Sequence, residues 1–212
     1  GDLRFVGNAA LVGIIATSLV LVDDDIIVRG NALLVNLNLP AFAGSVEDSD
    51  DILLVEQNPI LEVVSLPSLI DSERDIQIGG NNANTGNPLL FTIDLSNLVT
   101  ARGFMDFTGN ARMEELLLGS LTTVCHRAQP PTPGSPHYIR TQIAHAPCHS
   151  VGRGGCQVGG YFYIGSTGIG SFNNLPALEL PNLVSVGNHF FLQYLEEMSV
   201  LDLSSLESTG DY

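Results

Sequence analysis

The sequence contains no Lys and no Trp, and its eight basic residues, all Arg, stand against 23 Asp and Glu residues. The formal charge of -15 repels phosphate groups, so we expect no nucleic-acid partner and no anionic membrane partner. Cations and neutral molecules are the partners that this surface favours. No apolar run reaches the ~20 residues needed to cross a bilayer, so we also expect no membrane span.

Familiar catalytic motifs are missing as well. The chain has neither G-x-S-x-G nor a Gly-rich phosphate loop, and the outward strand positions defined below offer only Glu56 and Asp106 as acids. Polysaccharide-cleaving sites need clustered carboxylates. We therefore expect no enzyme and no cofactor, and a polysaccharide-acting β-helix enzyme ranks third among the functions considered.

What the chain does have is apolar residues, at 44% of the sequence, and few charges, at 15%. This composition supports a large buried core and excludes disorder.

A short apolar segment recurs seven times. Its copies begin at Leu3, Ile26, Leu53, Ile76, Met105, Phe162 and Phe190. Their sixth positions, among them Asn81 in the fourth copy, are 23 to 29 residues apart except for one step of 57. The first and third positions are apolar, which predicts a strand with one buried face. Gly and Asn are frequent at the fifth and sixth positions, and we expect both to form the corner because both tolerate a positive φ.

A second marker, L-x-x-L, follows each strand. Its copies are Leu39 to Phe42, Leu66 to Leu69, Leu95 to Leu98, Leu118 to Leu121, Leu180 to Leu183, Leu203 to Leu206, and a degenerate Ala16 to Leu19. A unit this small cannot bury its own apolar face, so the units must stack. We expect an all-β, parallel β-solenoid of about seven rungs, forming one domain over residues 1–212 with little helix.

The repeat also resembles a known family, most visibly in Leu178-Glu179-Leu180-Pro181-Asn182-Leu183 and in Val200-Leu201-Asp202-Leu203-Ser204-Ser205-Leu206. These residues are similar to the receptor L domain. That leucine-rich-repeat-like, right-handed β-helix occurs in insulin and epidermal-growth-factor receptors and in fungal cell-wall surface proteins. The resemblance implies a right-handed β-helix outside the cell but no shared chemistry.

Residues 125–156 form a Pro-rich insertion between rungs five and six, and we expect them to leave the solenoid as a loop. The insertion contains Cys125, Cys148 and Cys156. A disulfide could join Cys125 to Cys156 or Cys148 to Cys156, and the pairing stays open. Two other interpretations of the insertion stay open beside a disulfide. Its Cys and His residues form a zinc site, or its histidines are simply solvated loop residues. The zinc site would use the three Cys with His126, His137, His145 and His149.

Acidic residues recur at the corners before three successive strands. The candidate cation ligands are Asp23, Asp25, Asp48, Asp50, Asp71 and Glu73. Stacked rungs would align them along one edge, where calcium would relieve their repulsion. The alternative is a solvated edge whose charge keeps an apolar rod soluble.

Aromatic residues appear at outward positions in the C-terminal half. The candidate partner-binding residues are Phe104, Tyr161, Tyr163, Phe191 and Tyr194. Exposed aromatic faces usually contact a sugar, a protein or another protomer. The alternative is that the insertion folds back over them.

These features favour a non-enzymatic extracellular structural or binding module. Extracellular placement depends on the resemblance, the cysteines and the Pro/Thr/Ser loop. The first rung begins at Leu3 and the last has little chain after it, so we expect end-to-end self-association through Leu3 and Phe5 into a surface filament. Flanking rungs in a longer chain are the competing explanation, and a receptor-type domain that binds an extracellular protein or glycan is the second-ranked function.

Overall fold

Alternating apolar residues form three short strands in each of seven rungs. The computed structural model describes residues 1–45, 52–73, 75–80, 85–124, 162–164 and 174–210. All regular secondary structure within these ranges is strand, and none of it is helix.

The first strands of the rungs pair in parallel into a seven-stranded sheet, called the first sheet below. In chain order and in spatial order it contains β1 (Leu3–Val6), β4 (Ile26–Arg29), β7 (Ile52–Glu56), β10 (Asp75–Ile78), β13 (Met105–Asp106), β16 (Phe162–Ile164) and β19 (Phe190–Leu192).

The second strands form the second sheet. Its hydrogen-bonded ladder contains β2 (Gly13–Ile15), β5 (Asn36–Asn38), β8 (Val63–Ser65), β11 (Thr92–Asp94) and β14 (Glu115–Leu117), and β17 (Ala177–Glu179) and β20 (Val200–Asp202) form a separate two-stranded ladder on the same side. The third strands form the third sheet. A separate two-stranded ladder of β3 (Leu21–Val22) and β6 (Gly44–Ser45) comes first, and a five-stranded ladder follows, with β9 (Asp71–Ser72), β12 (Thr100–Ala101), β15 (Thr123–Val124), β18 (Ser185–Val186) and β21 (Ser208–Thr209).

This arrangement confirms the predicted fold class. The chain is a right-handed parallel β-solenoid, and about six turns connect the seven strands of the first sheet. At about 4.8 Å per step, the first sheet extends roughly 30 Å along the axis. The first positions of the seven predicted copies lie opposite one another in register, from Leu3 beside Ile26 to Phe162 beside Phe190.

The core lies between the three sheets and is filled by the inward position of each strand. Ile26, Leu53 and Ile76 are completely buried in the first sheet. Toward the C-terminal rungs aromatic rings replace these aliphatic side chains. The Phe162 ring stacks on Phe190 with centroids 5.0 Å apart and meets Phe107 edge-on at 6.1 Å.

Each L-x-x-L marker is a turn between the second and third sheets. The N–H of the last residue donates to the carbonyl of the first, for example from Leu98 to Leu95 at 3.0 Å and from Leu121 to Leu118 at 2.9 Å. Both leucines of these pairs are buried. The spacing of three therefore closes a hydrogen bond while both apolar side chains enter the core.

An asparagine ladder occupies the corner between the first and second sheets, and consists of Asn8, Asn31, Asn58, Asn87 and Asn110. The backbone N–H and the Nδ2 group of Asn31 both donate to Oδ1 of Asn58, at 3.0 and 3.1 Å. Asn58 repeats this pair of bonds toward Asn87 at 3.1 and 3.2 Å. Each amide thus satisfies polar groups of two rungs inside the core.

The ladder corrects the role that the sequence suggested for Asn. Gly7, Gly30 and Gly109 at the fifth position adopt a positive φ of 69°, 67° and 73°, whereas no ladder asparagine does. In rung four the ladder residue is Asn87 instead of the expected Asn81, which lies outside the described residues. A short insertion after Gly80 separates strand and ladder residue there.

Candidate functional site

The register of the first sheet places one outward residue of every rung in a single row. That row reads Arg4, Ile27, Leu54, Gln77, Asp106, Tyr163 and Phe191. Parallel in-register pairing keeps corresponding side chains adjacent. The row therefore changes from basic and aliphatic at the first rungs, through polar residues, to aromatic at the last two.

Aromatic side chains form a continuous patch on rungs six and seven. We define the aromatic patch as Tyr163, His189, Phe191, Gln193 and Tyr194. The Phe191 ring meets Tyr163 at 5.8 Å and 65°, and meets His189 at 5.0 Å and 60°. The Tyr163 hydroxyl donates to Oε1 of Gln193 at 3.0 Å. The edge-to-face contacts hold the rings in place, while Phe191 and Tyr194 stay 37% and 56% exposed.

Tyr194 adopts a backbone conformation that tyrosine rarely accepts. Its φ is 55°, at the fifth position of the repeat, where Gly7, Gly30 and Gly109 occur in other rungs and where Gln57 also adopts a positive φ, of 58°. The left-handed region costs a non-glycine residue roughly 1–2 kcal/mol. A large aromatic side chain is thus held outward at a position where glycine would be more stable.

The electrostatics of the patch are negative. Burial raises the pKa of the Tyr163 phenol, and the nearby Asp106 carboxylate and Tyr194 raise it further. Asp106 itself is only 8% exposed and accepts a hydrogen bond from the N–H of Thr108 at 2.9 Å. Tyr163 is therefore a neutral hydrogen-bonding group at physiological pH, beside a buried carboxylate.

The structure brings together three of the five predicted partner-binding residues, Tyr163, Phe191 and Tyr194. Phe104 lies on rung five, one rung before Tyr163, where its N–H donates to Oδ1 of Asp75 at 2.9 Å. Tyr161 lies outside the described residues. His189 and Gln193 were missed, although they directly flank strand β19 in the sequence.

The predicted cation ligands that the structure describes lie beside positive groups. Arg4 donates to Asp25 at 2.9 Å, and Arg102 contacts Asp71 at 2.8 Å and Glu73 at 3.0 Å. Asp23 lies 3.0 Å from the amino group of Gly1. In the described ranges no three His, Cys, Asp or Glu side chains are grouped closely enough to hold a metal ion. Asp48 and Asp50 lie outside those ranges, so calcium binding by the full set stays a prediction.

The insertion falls outside the described residues together with its three cysteines and four histidines. This applies to both alternative disulfides, Cys125 with Cys156 and Cys148 with Cys156, and to the zinc site. All three stay predictions.

The two outward carboxylates considered for catalysis have different surroundings. Glu56 pairs with Arg29 at 3.1 Å, and burial raises its pKa while Arg29 lowers it. Asp106 lies two rungs further along, beside Tyr163. The structure describes them on rungs three and five, separated by the strand of rung four.

Leu3 and Phe5, the predicted assembly residues, face inward from β1 and are partly buried against the core. Among the residues that the structure describes, β1 is the first strand of the first sheet, and its hydrogen-bonded neighbour is β4. End-to-end self-association through this strand stays a prediction.

No protein-family model matches the chain, and comparisons with curated proteins and with solved structures gave no match. Among the described residues, no helix has the length and hydrophobicity to span a membrane.

Proposed function

We propose that the chain is a non-enzymatic extracellular binding module that engages its partner through the aromatic patch. The observation that carries this proposal is the set of packed aromatic rings on the outer face of the first sheet, with Phe191 and Tyr194 exposed. The similarity to receptor L domains is consistent with a binding role.

The test compares the unmodified chain with Phe191→Ala on arrays of extracellular glycans and peptides. Leu117→Ala is the matched control, since Leu117 is 42% exposed on the outer face of the second sheet. At least one ligand should bind the unmodified chain and the control equally, and the Phe191→Ala variant at least about tenfold more weakly. Ligands that bind all three proteins equally would contradict the proposal.

A separate assay addresses catalysis. The chain is incubated with neutral and acidic polysaccharides, and newly formed reducing ends are measured. We expect the unmodified chain to release no more reducing ends than the Asp106→Asn and Glu56→Gln variants release. Cleavage that disappears in either variant would show that the module is an enzyme.

A further inference from the structure

The charge around the aromatic patch narrows the class of partner, on the premise that the proposed function is right. From residue 154 to the end the sequence has no Arg or Lys but six acids, Glu179, Glu196, Glu197, Asp202, Glu207 and Asp211. Glu196 and Glu197 follow Tyr194 after Leu195, in the turn that leaves the patch, and both are exposed. Asp106 adds a buried carboxylate at the opposite end, in register with Tyr163.

Aromatic rings beside carboxylates attract cations by two routes. The face of a phenyl or phenol ring attracts a guanidinium or ammonium group, and the carboxylates add a longer-range field. Arg is the residue that best combines these contacts, because its planar group stacks on a ring while its N–H groups bond to carboxylates. An acidic or phosphorylated partner would be repelled by the same surface.

The polar residues of the patch can also form a hydrogen bond with the backbone of a bound protein segment. Oε1 of Gln193 accepts from Tyr163, which fixes the amide and directs its Nε2 group away from that bond. Within the described ranges no acceptor is found for Nε2. A backbone carbonyl of a bound segment could accept from it while an Arg side chain lies over Phe191.

We propose that the aromatic patch binds an Arg-bearing basic segment of a partner protein. The guanidinium lies against Phe191 and Tyr194, and Glu196 and Glu197 attract it from the rim. The chain presents no comparable aromatic group on the outward row of rungs one to four, where the residues are Arg4, Ile27, Leu54 and Gln77.

The test uses the whole chain and a short peptide of alternating Arg and Gly, with a peptide in which citrulline replaces every Arg as the neutral control. Binding is measured by calorimetry, and the peptide side-chain protons are followed by NMR. We expect the citrulline peptide to bind at least about tenfold more weakly. The Arg side-chain protons should shift upfield, because they lie over an aromatic ring.

Variants then separate the patch from general attraction to an acidic chain. Phe191→Leu and Tyr194→Gly should each weaken binding about fivefold, the scale of one exposed cation–π contact. The double variant E196Q/E197Q should weaken it more than E62Q/E114Q, which removes the same charge from exposed positions on rungs three and five.

Each contrary outcome has a distinct meaning. Equal losses in the two charge variants, with no effect of Phe191→Leu, would show nonspecific attraction and overturn the inference. A neutral glycan that binds through Phe191 while the Arg peptide does not would also overturn it, yet would leave the proposed binding function intact. Binding of neither class would contradict both.

Discussion

Asn58 shows how an asparagine side chain satisfies the buried hydrogen-bonding groups at a corner of the solenoid. Its side chain is completely buried. It accepts two hydrogen bonds from Asn31 and donates to Val28, Glu56 and Asn87. A side-chain amide has two N–H donors as well as a carbonyl acceptor, so it can hydrogen-bond to the rungs above and below at the same time. Neither Ser nor Asp offers this combination.

Asn58→Ala should therefore be among the most damaging polar substitutions in the molecule. It leaves the N–H of Asn31 and the carbonyl of Val28 without these partners inside the core, at a cost of about 3 kcal/mol. Asn97→Ala is the matched control, because the exposed Asn97 makes one bond, to the carbonyl of Pro67. Urea unfolding should separate the two variants, and equal midpoints would contradict a stabilising ladder.

Glu56 should give the folding stability a dependence on acid pH. Burial raises its pKa above the ordinary 4.5, so the folded state holds the proton more tightly than the unfolded state does. This contribution to stability is complete below the unfolded value and disappears as the pH rises through the folded value. Arg29 is 48% exposed, so losing its partner costs little.

Glu56→Gln removes this titration. The variant should gain stability relative to the unmodified chain as the pH rises from below 4.5, the ordinary pKa of this carboxyl, to neutral. Chemical unfolding at a series of pH values measures the difference, with Glu114→Gln as an exposed control. A difference that is constant across this interval would contradict the raised pKa.

At the scale of elements, the strands and the L-x-x-L turns could be predicted because their signals are local. Alternation over three residues and a spacing of three identify them without knowledge of neighbours. The aromatic patch followed from the same alternation, which placed Tyr163 and Phe191 outward. What the sequence could not show depends on contacts between rungs. Arg102 pairs with Asp71 across 31 residues, and Asn87 replaces Asn81 because the fourth corner contains an insertion.

The corner of rung four should be the least tolerant of added side-chain volume. A Cβ on Gly86 would collide with the backbone carbonyl of Gly109 in the next rung. We expect Gly86→Ala to cost about 2 kcal/mol or more, since backbone cannot move aside cheaply. A Cβ on Gly119 meets nothing within 4 Å, so Gly119→Ala should stay within about 0.5 kcal/mol. Thermal unfolding of both variants provides the comparison, and similar melting temperatures would rule out the close approach.

At the scale of the whole molecule, copies of the chain both repel and attract one another. A net charge of -15 keeps copies apart, whereas unpaired strand edges promote association. Strand β1, the first strand of the described first sheet, carries the partly buried Leu3 and Phe5. At 0.1 M salt, the repulsion between charges more than about 10 Å apart is largely screened. Association of copies should therefore increase with ionic strength.

Light scattering tests this balance. The unmodified chain should grow in apparent mass with concentration and salt, and L3D/F5D should remain monomeric. The double variant I70D/L117D, which places the same charges on exposed positions of other rungs, controls for charge alone. A chain that stays monomeric under all conditions would exclude self-association through β1.

The asparagine ladder has a consequence for how the number of rungs can change. From Asn8 to Asn87, each ladder residue donates its backbone N–H and its Nδ2 group to Oδ1 of the next ladder residue, so these three junctions carry the same pair of hydrogen bonds. Deleting the 27 residues 31–57 would bring Asn58 beneath Asn8 in the place of Asn31. Copying the same block would add a junction without creating a new kind of contact. Duplication or deletion of whole-rung units within the first rungs could therefore lengthen or shorten this molecule while leaving the ladder junctions unchanged.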